Sequence, residues 1–324
     1  MAPRVCFESI AASMSGSESE VKRQHIIRHL PVDGHSVENL APELERKLAN
    51  AVERMPAFPR CVQRVLELTR DINCKPKDMV AVIEKDPVMT MNILRVINSA
   101  CYALPQRITS VNQSVVYLGI NTIKNLSLSV AAAGMLPSSN TAEFDTQRYL
   151  IHSLATAAVA RQLCTAYGGE EADPGDCYVA GLLHDFGKVV FAQFMVTEFR
   201  NALTLSATEN LPLHIAERQM IGIDHGYAGA MLASRWKFSR PLVECIRNHH
   251  VESAGPTVML DCLRVADQIC HGVGLDDELA LWDDQVPAAP ERFGNKMGQV
   301  VARLGDLRKN IDEVRAFALA EKSK

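Results

Sequence analysis

Apolar residues recur at intervals of three and four along most of the chain from residue 41 onward, which is the period of an amphipathic α-helix. No segment shows the strict alternation of apolar and polar residues that is typical of a half-buried strand. The pattern therefore predicts an all-α protein. Helices are predicted at about 41–55, 60–71, 77–85, 87–100, 111–118, 121–135, 147–167, 178–194, 223–236, 241–250, 258–273 and 292–324.

Changes in this pattern divide the chain. Residues 1–40 mix Ser/Gly-rich and polar patches with weak periodicity, and we predict a partly disordered leader there. The turn-forming stretch 136–140 predicts a boundary between two helical lobes, which would occupy 41–136 and 141–275. The remaining segment, 276–324, is expected to begin as an acidic, proline-bearing loop and to end in an amphipathic helix.

Composition narrows the class of protein. A net charge of -4 over 324 residues, without a stripe of basic and aromatic residues, argues against a nucleic-acid partner. The first residues lack the features of a secretory signal, and no apolar stretch is long enough to span a bilayer. The nine cysteines form no CxxC pair, and most lie in apolar helical patterns, where cysteine behaves as a small hydrophobic residue. We therefore predict a cytoplasmic, reduced protein that does not bind membranes.

The most informative residues are His184 and Asp185, which are adjacent in the apolar segment 181–188. The periodicity places both inside the helix predicted at 178–194. Ionisable side chains in such a setting are costly unless a cation or several hydrogen-bond donors satisfy them. The pair therefore indicates either a metal site or a buried hydrogen bond between the histidine and the aspartate.

Other predicted helices of the second lobe also carry polar side chains among apolar residues. His152 does so in the helix at 147–167, and Asp267 does so in the helix at 258–273, although Asp267 could instead pair with Arg264. Imidazole and carboxylate groups together suit a divalent metal ion such as Fe, Mn, Zn or Mg. The candidate metal ligands are His152, His184, Asp185, His225, His249, His250 and Asp267.

Several of these residues also have simpler explanations. His225 could merely begin a helix, and a protonated histidine at 249 or 250 would interact favourably with the carboxyl end of a helix. Lys188 lies one turn after His184, and it could contact a phosphate or pair with a carboxylate. The remaining histidines are assigned to the surface (His214 and His271) and to the leader (His25, His29 and His35).

The order of the candidate ligands resembles a known superfamily. His152, the His184–Asp185 pair and Asp267 follow the H…HD…D order of the HD metal-dependent phosphohydrolases, whose all-helical fold binds metal through those positions. The resemblance implies that the second lobe is an HD-like helical bundle. It also implies that the four side chains converge although they are far apart in the sequence.

Three further histidines are similar to additional ligands in the HD-GYP branch, which hydrolyses cyclic di-GMP at a centre of two or three metals. They are His225, His249 and His250. The segment 251–255, however, reads Val-Glu-Ser-Ala-Gly and lacks the GYP signature. This departure argues against cyclic di-GMP hydrolysis.

Motifs of the first lobe resemble another branch, the HDOD family (HD-related output domain). The matching segments are 55–59, 83–87, 93–102, 108–111 and 118–126, and 180–188 and 224–236 also fit. The resemblance covers roughly residues 45–275. It implies a bacterial signalling or regulatory protein, in a family whose members are often treated as non-catalytic because many have lost HD ligands. Here every ligand position that can be aligned is retained, which fits a bound metal.

The resemblance implies two functions. The first is a regulatory signal-transduction protein whose metal-competent HD-type site binds a protein partner or a nucleotide. The alternative is an active metal-dependent phosphohydrolase or phosphodiesterase that acts on a nucleotide or another phosphoester. In that enzyme His152, His184, Asp185 and Asp267 would hold one metal, and His225, His249 and His250 would add a second. Asp185 would bridge the metals and Lys188 would contact the phosphate, so these two are the candidate catalytic residues.

Overall fold

The computed structural model describes residues 40–70, 74–99, 106–137, 142–272, 290–294 and 297–305, with 312, 314, 315, 317 and 318. Within these residues helices are the only regular elements and no strand occurs, so the predicted all-α fold is confirmed. The predicted leader and most of the predicted acidic loop lie outside the described residues. None of the described helices is long and apolar enough to cross a membrane.

The helix bounds agree with most of the predicted ones to within a few residues. The helices before residue 137 are α1 Pro42–Arg54, α2 Arg60–Arg70, α3 Pro76–Glu84, α4 Pro87–Ile97, α5 Val111–Leu118 and α6 Ile120–Gly134. Those after residue 142 are α7 Thr146–Tyr167, α8 Pro174–Leu183, α9 Phe186–Phe194, α10 Val196–Glu209, α11 Leu213–Met220, α12 His225–Arg235, α13 Arg240–Asn248 and α14 Val258–Gly272. A 3-10 turn at Glu291–Phe293 precedes α15, Met297–Leu304.

Prolines and short polar side chains set the start of many helices. Proline lies in the first turn of α1, α3, α4 and α8, where its missing N–H removes no intrahelical bond. The side chains of Ser110, Asp145 and Asp224 accept hydrogen bonds from backbone N–H groups in the first turns of α5, α7 and α12. Each such cap stabilises a helix start by about 1 kcal/mol. The Asp224 cap fixes His225 as the first residue of α12.

Trp236 joins the early helices to the later ones. Its indole Nε1 donates to the Pro56 carbonyl at 3.1 Å, just after α1. Its ring centroid lies 5.1 Å from that of Phe58 and 5.4 Å from that of Phe186, in α9. The described residues belong to one compact unit that spans residues 39–324. The division into two lobes near residues 136–140 stays a prediction.

The helix predicted at 178–194 is wrong in one respect, because it is two helices that meet at His184 and Asp185. His184 keeps helical dihedral angles, but Asp185 has φ -93° and ψ 4°, and α9 begins after it. The periodicity could not reveal this break. Both α8 and α9 are buried along nearly their whole length, so apolar residues continue on all sides of the junction.

Two helices lie between 195 and 222, where the sequence pattern predicts none. In α10 the buried residues are Phe199 and Ala202, and in α11 they are Ala216 and Glu217. Each helix has only two buried residues, and one of the four is a glutamate. The hydrophobic period of these helices is therefore too weak to detect in the sequence. Sequence analysis therefore missed α11 together with the side chains that it carries.

The helix predicted to begin at residue 292 begins instead at Met297. Gly294 has a left-handed φ of 82°, which ends the 3-10 turn and separates it from α15. Met297 and Val300 are buried, as the amphipathic pattern predicts. The later part of this predicted helix falls mostly outside the described residues.

Glycines allow the helices that carry the candidate ligands to lie unusually close together. A Cβ on Gly187 in α9 would be 2.0 Å from the carbonyl oxygen of His225 in α12. A Cβ on Gly181 in α8 would be 2.6 Å from the Cα of Ala157 in α7. Real Cβ atoms do not approach backbone atoms so closely, so only glycine permits these two packings.

We expect Gly187→Ala to destabilise the protein by about 1 to 3 kcal/mol, because the added methyl group must push α9 away from α12. Urea unfolding would measure this change in the free energy of unfolding. Gly134→Ala is the matched control, since nothing lies within 4 Å of a Cβ at this exposed helix end. The control should be neutral or gain about 0.5 kcal/mol. Equal stability of the two variants would contradict the close packing.

Candidate metal centre

The fold brings all the candidate ligands to one place. Several of them are almost completely buried: His184 is 0% exposed, Asp185 2% and His225 1%. They come from α7 (His152), the α8–α9 junction (His184 and Asp185), the start of α12 (His225), the residues after α13 (His249 and His250) and α14 (Asp267).

The first group of ligands lies around Asp267. Its Oδ1 atom is 3.0 Å from Nε2 of His152 and 3.5 Å from Nε2 of His184. The two imidazole Nε2 atoms are 3.4 Å apart. Three side chains from α7, α8 and α14 thus direct a nitrogen or an oxygen atom toward a common point.

The second group consists of three histidines. Nε2 of His225 lies 3.3 Å from Nε2 of His249 and 3.0 Å from Nε2 of His250. These three side chains and Asp185 each place one potential ligand atom within 4.8 Å of all the others. The second group is therefore as compact as the first.

Asp185 lies between the two groups, with one carboxylate oxygen toward each. Its Oδ2 atom is 3.5 Å from Nε2 of His184 and 3.8 Å from Nε2 of His152. Its Oδ1 atom is 2.9 Å from Nε2 of His225 and 3.9 Å from Nε2 of His249. The break between α8 and α9 gives the carboxylate this central position.

Backbone carbonyls orient two of the imidazoles. Nδ1 of His184 donates to the Gly181 carbonyl at 2.8 Å, and Nδ1 of His249 donates to the Ile246 carbonyl at 2.6 Å. A carbonyl can only accept, so the neutral ring carries its proton on Nδ1. Nε2 then presents a lone pair to the centre of the cluster, which is the orientation that a metal ligand needs.

Glu217, on α11, orients His225. Its Oε2 atom accepts from Nδ1 of His225 at 2.6 Å and from the backbone N–H of His225 at 2.8 Å. Burial would lower the pKa of His225, but the charges of Glu217 and Asp185 outweigh burial and raise it to about 9. A carboxylate behind a histidine is a common second-sphere arrangement at metal sites.

Lys188 supplies a positive charge beside the central carboxylate. Its Nζ atom donates to Oδ2 of Asp185 at 2.5 Å. Burial opposes ionisation of Asp185, yet the electrostatic attraction of Lys188 and of the imidazoles of His184 and His225 holds its pKa well below the usual range. Of the two roles considered for Lys188, the structure therefore shows the pairing with a carboxylate.

The surroundings of Asp267 test whether a cation fits. Its buried Oδ1 atom has no hydrogen bond of acceptable geometry within the described residues. Nitrogens of His152, His184 and His271 nevertheless lie 3.0, 3.5 and 3.1 Å from it. The interaction with Asp267 raises the pKa of His271 to about 9, so this exposed histidine supplies positive charge from one side, while the carboxylate oxygen still faces the two buried imidazoles of His152 and His184. The residues present therefore fit a divalent cation.

The two adjacent histidines are uncharged at neutral pH. Burial, together with nearby His184 and His225, lowers the pKa of His249 to about 3. Burial also holds the pKa of His250 well below its ordinary value. A favourable interaction with the carboxyl end of α13 would need a protonated ring, so that simpler explanation does not account for the pair. Neutral imidazole is the form that binds metal.

Arg264 does not form the ion pair with Asp267 that the sequence allows. Its guanidinium instead donates to the backbone carbonyls of Asn248, His249 and Val251. These carbonyls lie at the last residue of α13 and in the turn that follows it. Arg264 thereby fixes the turn that carries the second group of ligands.

Sequence analysis missed three side chains next to the cluster. The surface position predicted for His214 is wrong, because this side chain is half-buried and its ring stacks on that of His250 at 4.1 Å between centroids. His271 is exposed as predicted, yet its Nδ1 atom is 3.1 Å from Asp267. Glu217 is three residues after His214, so a helical prediction for α11 would have placed both on one face.

The comparison with known families agrees with this architecture. The family model for the HDOD domain matches residues 55–252, which is more than half of the chain. The chain belongs to the HDOD family. A Treponema pallidum (strain Nichols) protein described as uncharacterized is 30% identical over 207 residues. That match covers 62% of this HDOD chain and 39% of the relative, so it spans well under half of the relative's length.

Solved structures share the fold of this HDOD protein. An HDOD domain protein of unknown function from Geobacter sulfurreducens is 24% identical, with a TM-score of 0.66 over 85% of this chain and 96% of that one. A Shewanella amazonensis SB2B protein with a provisional phosphohydrolase name is 21% identical, with a TM-score of 0.61 over 86% and 98%. A Marinobacter aquaeolei VT8 protein with a provisional signal-transduction name is 22% identical, with a TM-score of 0.70 over 86% and 66%. At these identities the likeness shows the fold.

We expect Glu217→Gln to reduce the pH dependence of stability, measured by urea unfolding with a chelator present. The folded pKa of His225, about 9, exceeds its unfolded value of about 6.5, so the charged pair stabilises the fold below pH 6.5 and is lost as the pH rises through 9. Over that range the pair accounts for a loss of at most about 3 kcal/mol in the unmodified protein.

The Glu217→Gln variant should lose less stability across the same range, because its amide keeps a hydrogen-bond acceptor but carries no charge. Exposed Glu209→Gln is the control, and it should follow the unmodified protein. Parallel pH curves for Glu217→Gln and the unmodified protein would show that this carboxylate does not set the charge of His225.

Proposed function

We propose that this HDOD protein is a regulatory protein whose His/Asp cluster binds divalent metal and a protein partner or a nucleotide. The observation that carries the proposal is the arrangement around Asp185, whose two oxygens face imidazole nitrogens on opposite sides. The His225 side is an ion pair, but on the other side the Nε2 lone pair of His184 faces Oδ2 of Asp185 at 3.5 Å, and these two groups repel each other unless a cation lies between them. The signalling role rests on the family and on the name of the Marinobacter neighbour.

Two sets of residues would hold the metal. Both sets contain imidazole ligands, which favour Fe or Zn over Mg, and carboxylates, which also suit Mn. When bound, a divalent cation supplies positive charge for phosphate oxygens and lowers the pKa of a coordinated water. The first set is His152, His184, Asp185 and Asp267, and the second is Asp185, His225, His249 and His250.

Restricted access favours regulation over turnover. The central ligands His184, Asp185 and His225 are almost completely inaccessible to solvent. Lys188 is engaged by Asp185 and is itself mostly buried. A phosphoester must reach the metal or its coordinated water in order to react, and these buried ligands and Lys188 are the groups nearest to that position. The cluster is thus better suited to regulation, in which binding of metal or ligand changes how the helices pack, than to catalytic turnover of a substrate.

A metal-dependent phosphohydrolase is the second candidate. It is supported by the retention of both ligand groups and by the partial exposure of Asp267 and His250. In this enzyme the Lys188 ammonium would position a phosphoryl oxygen. The Asp185 carboxylate would serve as a ligand shared by the two sets of metal-binding residues. A phosphoester, from a nucleotide or another source, is the substrate class that these groups suit.

We expect the double variant His184→Ala, Asp185→Ala to lose the metal that copurifies with the unmodified protein. Removal of the shared carboxylate and one imidazole should lower metal affinity by more than about a hundredfold, since second-sphere changes alone cost 10 to 100-fold. Elemental analysis of the folded proteins would measure metal per chain. Glu209→Ala is the exposed control. Unchanged metal content in the folded double variant would refute a metal site at Asp185.

A hydrolysis screen separates the two functions. The full chain, loaded in turn with Fe, Mn and Zn, would be incubated with linear and cyclic nucleotides and with a generic phosphodiester. The regulatory proposal predicts nucleotide binding by calorimetry, or partner binding, with turnover far below about 1 s⁻¹. Turnover at or above that rate, abolished in the His184→Ala, Asp185→Ala variant, would establish the hydrolase instead.

A further inference from the structure

A second cluster of potential ligands lies outside the His/Asp cluster. Cys164 near the end of α7, Cys177 in α8 and Cys262 in α14 direct their sulfurs to one point, and the three Sγ atoms lie within 4.8 Å of one another. Their exposed fractions are 1%, 0% and 0%. Separate helices thus contribute each thiol.

The spacing of the sulfurs matches a single ion. Zinc binds thiolate sulfur at about 2.3 Å, so two sulfurs on one tetrahedral zinc are about 3.8 Å apart. All three sulfurs lie within 4.8 Å of one another, so side-chain movements of about 1 Å or less bring them to that spacing. Soft thiolate ligands select zinc or copper(I) over the harder cations that carboxylates prefer.

The Cys164 sulfur lies near a backbone carbonyl oxygen as well as near the other two sulfurs. Its Sγ atom lies 3.5 Å from the backbone carbonyl of Ala172. The chain turns tightly over this sulfur at Gly168, where a Cβ would be only 2.8 Å from Sγ. Glycine at this position therefore keeps the region beside the sulfur free of a side chain.

We propose that Cys164, Cys177 and Cys262 form a structural site for one thiophilic cation, with zinc as the expected ion. On binding, each of the three thiols loses its proton to solvent and each sulfur donates an electron pair to the ion, so no oxidant or reductant takes part. The fourth position of a tetrahedral zinc is left to an oxygen, and the Ala172 carbonyl is one that lies near Cys164.

This site is separate from the His/Asp cluster but is built on the same helices. Cys177 and His184 are seven residues apart in and just after α8, which is about 10 Å along a helix, so they cannot share an ion. A cation at the cysteines would tie α7, α8 and α14 together. These are the elements that carry His152, His184 and Asp267.

Cobalt substitution tests the proposal on the full chain under reducing conditions. Cobalt(II) bound by thiolates gives an intense sulfur-to-metal charge-transfer band, which imidazole and carboxylate ligands do not give. We expect this band to saturate at one cobalt per chain and to disappear when zinc is added. Absence of the band in the folded, unmodified protein would overturn the proposal without any variant.

Variants then assign the band to these cysteines. Cys177→Ala and Cys262→Ala should each weaken cobalt binding by more than about tenfold. Cys245→Ala and Cys270→Ala are matched controls, because both cysteines are buried yet belong to no such group among the described residues. A band that survives in folded Cys177→Ala and Cys262→Ala would refute the assignment.

The His184→Ala, Asp185→Ala variant separates this site from the proposed function. If it folds, as judged by circular dichroism, it should keep the charge-transfer band while it loses its other metal. Loss of the band in that folded variant would refute an independent cysteine site. Retention of both metals would refute the His/Asp site and leave the cysteine site standing.

Discussion

The cluster depends on an electrostatic constraint at Asp185. Two of the imidazoles beside this buried carboxylate, His184 and His249, point an Nε2 lone pair toward it, because their Nδ1 atoms donate to the Gly181 and Ile246 carbonyls. Such an arrangement is unfavourable without positive charge. Lys188 supplies one charge from within the chain, and the protonated His225 supplies another. Oδ1 of Asp267 is buried without a hydrogen bond of acceptable geometry among the described residues, so the need for positive charge extends to the first group of ligands.

Helix ends solve the problem of placing so many polar groups in an apolar interior. Asp185 lies between two helices, His225 begins α12, and His249 follows the end of α13. At such ends the backbone already presents unpaired N–H and carbonyl groups, so polar side chains find partners there at little cost. Only His152 and Asp267 project from the middle of helices, and they face each other at 3.0 Å. The close glycine contacts of α9 with α12 then hold the ends together.

The all-α fold and the set of converging ligands follow from the sequence, because an ionisable residue in an apolar helical pattern is conspicuous. The break at Asp185 does not follow, since apolar residues continue through both buried helices. Glu217 could not be predicted for the opposite reason: it is a buried charged residue in a helix of only eight residues, four of them polar or charged, so no clear hydrophobic period marks the helix. The cysteine cluster could not be predicted, because a buried cysteine in an apolar helical pattern resembles any small apolar residue. Only the fold brings the three thiols together.

Access, and not ligand identity, distinguishes a regulatory site from a catalytic one on this scaffold. The same imidazoles and carboxylates serve both functions, and metal binding needs only their lone pairs. Turnover also needs room for a phosphoester beside Asp185, where Lys188 is paired and the neighbouring side chains are almost completely buried. Opening that room would require α9 to move from α12, against the backbone contact between Gly187 and His225. In the proposed regulatory protein, occupancy of the cluster would therefore be coupled to the packing of these helix ends.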